Sequence, residues 1–144
     1  MHRRPVGRGR LLAALSAIVI VVGCVLPWYT AGGDVDGIPA RSVNAFDDLA
    51  GLVVFLTALA VLALVALPYA AGDQPVAVDR WPSYLILLAG GVTGVLLSVM
   101  SVVTGDLLLD GLRPDRAPGI WIAAIGLIGL ARATFEIAQQ PERH

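Results

Sequence analysis

Four long stretches of this chain are almost free of charge, and they decide what it can fold into. They cover residues 11–29, 49–69, 81–103 and 118–131. A helix rises about 1.5 Å per residue, so about 20 residues cross a hydrocarbon core of about 30 Å. The first three stretches reach that length outright, and the fourth reaches it once the helix runs on past Arg132 to Ile137. Each is apolar on every face, whereas a membrane strand alternates apolar and polar positions over about 10 residues. A helix also satisfies its own backbone groups where no water is present. The expected fold is therefore all-α, an integral membrane bundle of four antiparallel transmembrane helices. The spans predicted are 11–29, 47–70, 81–104 and 118–138. A basic tail, 1–10, precedes the single four-helix domain, 11–140, and a short tail, 141–144, follows it. No separate soluble domain has room to fold.

Composition agrees with that reading, with 57% hydrophobic residues and 15% charged ones. A soluble domain carries about 25% charged residues. All 10 basic residues are arginine, and their placement orients the chain. Arg3, Arg4, Arg8 and Arg10 sit just before the first stretch, which places the N-terminus in the cytoplasm by the positive-inside rule. Four crossings bring the C-terminus back to the same side. Arg80, Arg132 and Arg143 then also fall inside, while Arg41, Arg113 and Arg116 fall outside. Aromatic residues mark the borders: Trp28 and Tyr29 close the first span, Tyr69 closes the second, Trp81 opens the third and Trp121 the fourth. Amphipathic rings prefer the headgroup level. Tyr84 lies about one helical turn inside the third span, within reach of that interface.

The sequence Val21-Val22-Gly23-Cys24 has the form of a lipobox, after which a lipoprotein is cut and acylated. However, the apolar run continues through Val25, Leu26, Pro27, Trp28 and Tyr29 rather than into a polar tether. Three further spans already hold the chain in the bilayer, so a lipid anchor adds little. An uncut first helix is expected, with Cys24 a small apolar passenger in it. One cysteine excludes an intrachain disulfide.

The pieces "VLPWYTAGG" (25–33), "SVNAFDDLAGL" (42–52) and "PGIWIAAIGLIGLARATFEIA" (118–138) carry a resemblance. The chain resembles a group of small actinobacterial four-helix integral membrane proteins. In that group the first helix ends in a Leu-Pro-Trp-Tyr-like sequence, an Ala-Phe pair follows a short outer loop, and Gly-x-Trp opens the fourth helix. The resemblance implies uncut topology and an actinobacterial plasma membrane. It implies no activity.

Few residues offer chemistry. Asp34, Asp36, Asp47, Asp48, Asp106, Asp110 and Asp115 fall in or beside the outer loops. Converging carboxylates suit a hard cation, but "DVDG" (34–37) lacks the remaining ligands of a calcium loop. Asn44 is placed to cap the second helix, with Asp47 completing an approximate capping box. Arg132 and Glu136 lie four apart on one helix face and can pair, and the long Arg132 side chain can snorkel to the inner interface. The first three spans hold no charged residue or histidine away from their ends, where coupled carriers need such groups. His2 and His144 are terminal, and Ser16, Thr57, Thr93, Ser98 and Ser101 have no base beside them in sequence. No catalytic residue, metal ligand or cofactor is expected.

Small residues are the remaining signal. Gly90, Gly94 and Ser98 repeat every four residues along the third span, and Gly126 and Gly129 thin the fourth. Small residues let helix backbones approach closely in lipid. Packing within the chain's own bundle is the first expectation, and a face for another membrane protein or a second copy is the alternative. The other expected partner is the lipid bilayer; nucleic acid is not expected. The function expected is a non-enzymatic accessory or interaction component of the bacterial envelope, located in the plasma membrane. The alternative is a small oligomeric carrier or channel for an apolar or lipid-like molecule. An enzyme working through the outer aspartates ranks third.

Overall fold

In the computed structural model, which describes residues 7–31, 39–71, 80–104 and 112–140, the first helix is ended by its own sequence. Helix α1 (Arg8–Val25) stops at Val25, not at Tyr29. Leu26 is held extended at φ −79° and ψ 159°, because the residue before a proline is pushed out of the helical region. Pro27 then has no N–H with which to continue the ladder. In an unbroken helix the Gly23 carbonyl would accept from the N–H of residue 27. Instead the indole Nε1 of Trp28 donates to it at 3.0 Å. Trp28 is thereby folded beneath the helix end and is 1% exposed. The expectation of Trp28 as an interface ring closing the span is corrected: its ring packs inside protein and its polar edge serves a helix C-terminus. At the other end α1 takes in Arg8 and Arg10, which the sequence reading assigned to the tail.

A two-stranded hairpin follows, where only a loop was expected. Strand β1 (Tyr29–Ala31) pairs antiparallel with β2 (Arg41–Val43), with Tyr29 opposite Val43, Thr30 opposite Ser42 and Ala31 opposite Arg41. The Trp28 N–H donates to the Val43 carbonyl at 2.7 Å, just ahead of that ladder. A 3-10 turn (Ala45–Asp47) leads into α2 (Leu49–Ala70). The second helix therefore begins two residues later than expected, and its cap changes. Asn44 caps the 3-10 turn: its Oδ1 accepts from Phe46 N at 3.0 Å, and Asp47 Oδ2 accepts from Asn44 N at 3.1 Å. The cap of α2 is Asp48, whose Oδ1 accepts from Ala50 N at 3.3 Å. Helices α3 (Trp81–Thr104) and α4 (Pro118–Ala138) have the expected bounds, the latter with Pro118 in its first turn, where a missing N–H costs nothing.

Each helix packs on its sequence neighbours, and α4 closes the ring on α1. Gly9 lies against Ala133 and Ile137, and Gly23 lies against Gly119 and Ala123, so the start of α1 is beside the end of α4. Gly94 lies against Ala50 and Val54, which sets the middle of α3 beside the first turns of α2. The α1–α4 approach is the closest. A Cβ on Gly23 would stand 2.6 Å from Ala123 N, and one on Gly119 would stand 2.5 Å from the carbonyls of Gly23 and Leu26. Only glycine at both positions lets these backbones meet. The shared core is apolar and includes Ile20, Val54, Val61, Leu130 and Trp28. Large apolar side chains also point outward, among them Leu15, Ile86, Ile125 and Ile128, each at least half exposed. All four helices are long and apolar enough to cross a membrane. A hydrocarbon solvent is the one that tolerates such an outer surface.

Candidate functional site

The small-residue faces are used within the chain. On α3 the buried stripe is Tyr84, Gly91, Gly94, Ser98 and Val102. Gly94 and Ser98 are therefore on the packing face, but Gly90 is not central to it: a Cβ there would make ordinary contact with Thr57 Oγ1 at 3.5 Å. Gly91 takes the expected place of Gly90, its hypothetical Cβ lying 2.7 Å from Leu127 Cδ2. Gly126 and Gly129 turn toward α1, where added Cβ atoms would stand 2.6 Å from Ile20 Cγ1 and 2.5 Å from Ser16 Oγ. Neighbouring helices α1, α2 and α4 thus cover Gly91, Gly94, Gly126 and Gly129 within the bundle.

At the hairpin end, polar groups gather around the start of α2. Asp48 uses both carboxylate oxygens: Oδ1 on the Ala50 amide, and Oδ2 on the Ser98 hydroxyl at 2.8 Å. Ser98 is 1% exposed and Asp48 half-buried, so this bond fastens α3 to the cap of α2 at the edge of the core. The Ser101 hydroxyl donates to the Ser98 carbonyl at 2.8 Å. Tyr29, half-buried at the start of β1, has its phenol pKa raised above the ordinary value, first by burial and then by the Asp48 and Asp47 charges, with Arg41 opposing them. The hairpin is fixed to the far end of the chain as well. Thr30 Oγ1 donates to the Arg116 carbonyl at 3.1 Å, and Gly119 N donates to the Pro27 carbonyl at 2.9 Å.

The remaining aromatic markers divide. Trp81, Trp121 and Tyr69 are each about half exposed near their helix ends, at 46%, 50% and 53%. Tyr84 is fully buried in the α3 stripe, which corrects its expected place near the interface: a ring one turn into a helix follows the face it sits on. The Trp121 Nε1 donates to the Leu112 carbonyl at 2.8 Å. Arg132 and Glu136 pair on the outer face of α4 at 3.2 Å, with the arginine side chain 67% exposed. Beside Trp121 an apolar groove of about 210 Å³ runs between α3 and α4, lined by Val95, Val99, Leu112, Ile120, Trp121 and Ala124.

This arrangement offers little reactive chemistry. The buried polar side chains among the described residues are Ser16, Thr57, Ser98 and Thr134. The Thr134 hydroxyl donates to the Leu130 carbonyl of its own helix at 2.8 Å. Ser98 meets a carboxylate, yet it is closed from solvent, and the chain's only histidines are His2 and His144. A serine nucleophile needs a general base such as imidazole and room for a substrate. Among the described residues no three His, Cys, Asp or Glu side chains come together as a metal site. Asp34, Asp36, Asp106 and Asp110 lie outside the described residues. The Asp48–Ser98 bond was not legible in sequence, because 50 residues separate its partners. Comparison with protein-family models, curated proteins and solved structures gives no match.

Proposed function

We propose that the chain is a multi-pass protein of the bacterial plasma membrane, of the actinobacterial kind its resemblance implies. In this reading it is an antiparallel four-helix bundle with both termini cytoplasmic, and it acts without catalysis as an accessory or interaction component of the envelope. The observation that carries this reading is the interior itself. The fully buried residues between the helices are small, apolar or hydroxyl-bearing, and the described charges nearest to them, Arg10 and Asp48, are half-buried at helix ends. Such an interior holds shape and supplies neither an ion path nor an acid–base pair. The arginine bias supports the orientation: Arg8, Arg10, Arg80 and Arg132 on one side face Arg41, Arg113 and Arg116 on the other. Since Gly91, Gly94, Gly126 and Gly129 are covered by neighbouring helices, a partner docks on another surface.

Single cysteines placed at Ser42 and Gln140, in a Cys24→Ser background, test the orientation. The first reacts with an impermeant maleimide on intact cells, and the second reacts only after permeabilisation. The reverse pattern overturns the orientation. Crosslinking and purification in mild detergent test the accessory role, and a protein that always runs as a partnerless monomer counts against it. The second reading, an oligomeric carrier or channel for an apolar molecule, draws on the α3–α4 groove. Reconstituted vesicles that move no lipid-like probe would end that reading.

A further inference from the structure

From the α3–α4 groove and the turn above it, we infer a binding site for one anionic phospholipid in the leaflet at the hairpin end. This inference rests on the membrane reading above. The groove is lined by apolar side chains of two membrane-length helices, so an acyl chain matches it and a polar ligand does not. Its mouth is formed by Leu112 and Trp121, which the indole-to-carbonyl bond of 2.8 Å holds together. Directly beyond Leu112 the chain makes a tight turn, with Arg116 N and Ala117 N both donating to the Arg113 carbonyl at 3.0 and 2.7 Å.

That turn puts two exposed arginines, Arg113 and Arg116, immediately after the groove residue Leu112, with Asp115 the one carboxylate among the described residues of the turn; Asp106 and Asp110 of the same connection lie outside the described residues. Both arginines already hold contacts within the protein. A guanidinium has five N–H donors, so such a contact is compatible with binding phosphate. The first turn of α4 contains no acidic residue and no side-chain cap, so its positive end adds to the same potential. Basic groups above an inter-helix groove are the chemistry that selects an anionic headgroup. One feature supplies the chain contact and the other the phosphate contact, and the turn from Leu112 to Ile120 joins them. A zwitterionic lipid fills the same groove but loses the charge preference.

Native mass spectrometry of the full chain tests the site. The protein is released from mild detergent containing equal amounts of phosphatidylglycerol and phosphatidylcholine. The wild type should retain phosphatidylglycerol in preference. Arg113→Gln and Arg116→Gln should each lower that occupancy about fivefold, the effect of one basic group near an anionic surface. Ala124→Phe, which fills the groove, should remove both lipids. Equal retention of the two lipids, no retention by the wild type, or retention unchanged by the paired arginine substitutions overturns the site. If Ala124→Phe fails to fold, judged by circular dichroism, the surface arginine variants decide alone. Failure of the membrane reading shows differently: alkaline carbonate would then strip the protein from membranes.

Discussion

Trp28 does at the end of α1 what a backbone amide does within a helix. Pro27 takes away the N–H that the Gly23 carbonyl needs, and the indole supplies another at 3.0 Å. Trp28→Phe keeps the ring and removes the donor, leaving a buried carbonyl without its partner. The expected loss is about 1–3 kcal/mol in unfolding free energy, measured in mixed micelles. No loss would mean that another donor takes over. The neighbouring Tyr29 offers a second check. Burial and the Asp48 and Asp47 charges favour its neutral form, so the folded state holds the phenolic proton more tightly than the unfolded chain does. Stability from Tyr29 is therefore complete below the unfolded pKa of about 10 and is lost as pH rises through the higher folded value. Labelled-tyrosine NMR, with Tyr29 assigned from Tyr29→Phe, should show a late midpoint that moves down in Asp48→Asn. Both residues were visible in the sequence as aromatic markers. Their roles were not, because apolar rings at a helix end look alike whether lipid or protein surrounds them.

At the scale of elements, the two adjacent glycines of α3 separate legible from illegible features. A spacing of four from Gly94 selects Gly90, but one of three selects Gly91, and the helix turns Gly91 inward. Only a packed neighbour distinguishes them, and a single sequence does not show it. Gly90→Ala should leave stability unchanged or raise it by up to about 1 kcal/mol, since its Cβ meets nothing closer than 3.5 Å and alanine favours helix. Gly94→Ala should cost about 1–3 kcal/mol, because its Cβ would stand 2.8 Å from the Ala50 carbonyl, which is backbone and moves only with the helix. Equal behaviour of the two variants in a micellar unfolding assay would refute this assignment of the face. The spans themselves were legible where apolar run and helix coincide, as in α3 and α4. They diverged where hydrophobicity outlasts the helix, at Pro27, and where a 3-10 turn precedes it, at Ala45–Asp47. The hairpin escaped notice because three-residue strands have no periodicity to read.

For the whole molecule, α1 carries the most extensive packing of the four helices, chiefly against α4 and then α2. Cutting before Cys24 would remove nearly all of it and uncover Gly119, Gly126 and Gly129 together. The intact mass of the membrane-extracted protein should therefore retain residues 1–23, with Cys24 unacylated. A mass lacking those residues and carrying acyl chains would overturn the uncut fold. The α1–α4 contact also has a bearing on time. Ribosomes deliver α1 first and α4 last, yet Gly23 and Gly119 form the tightest approach between two of the four helices. The hairpin waits too, since Thr30 is secured by the carbonyl of Arg116, 86 residues later. Contacts of such separation form late. The first helix is thus without its closest neighbour until synthesis is nearly over, and a nascent chain stopped before α4 leaves the seam beside Gly9 and Gly23 unfilled.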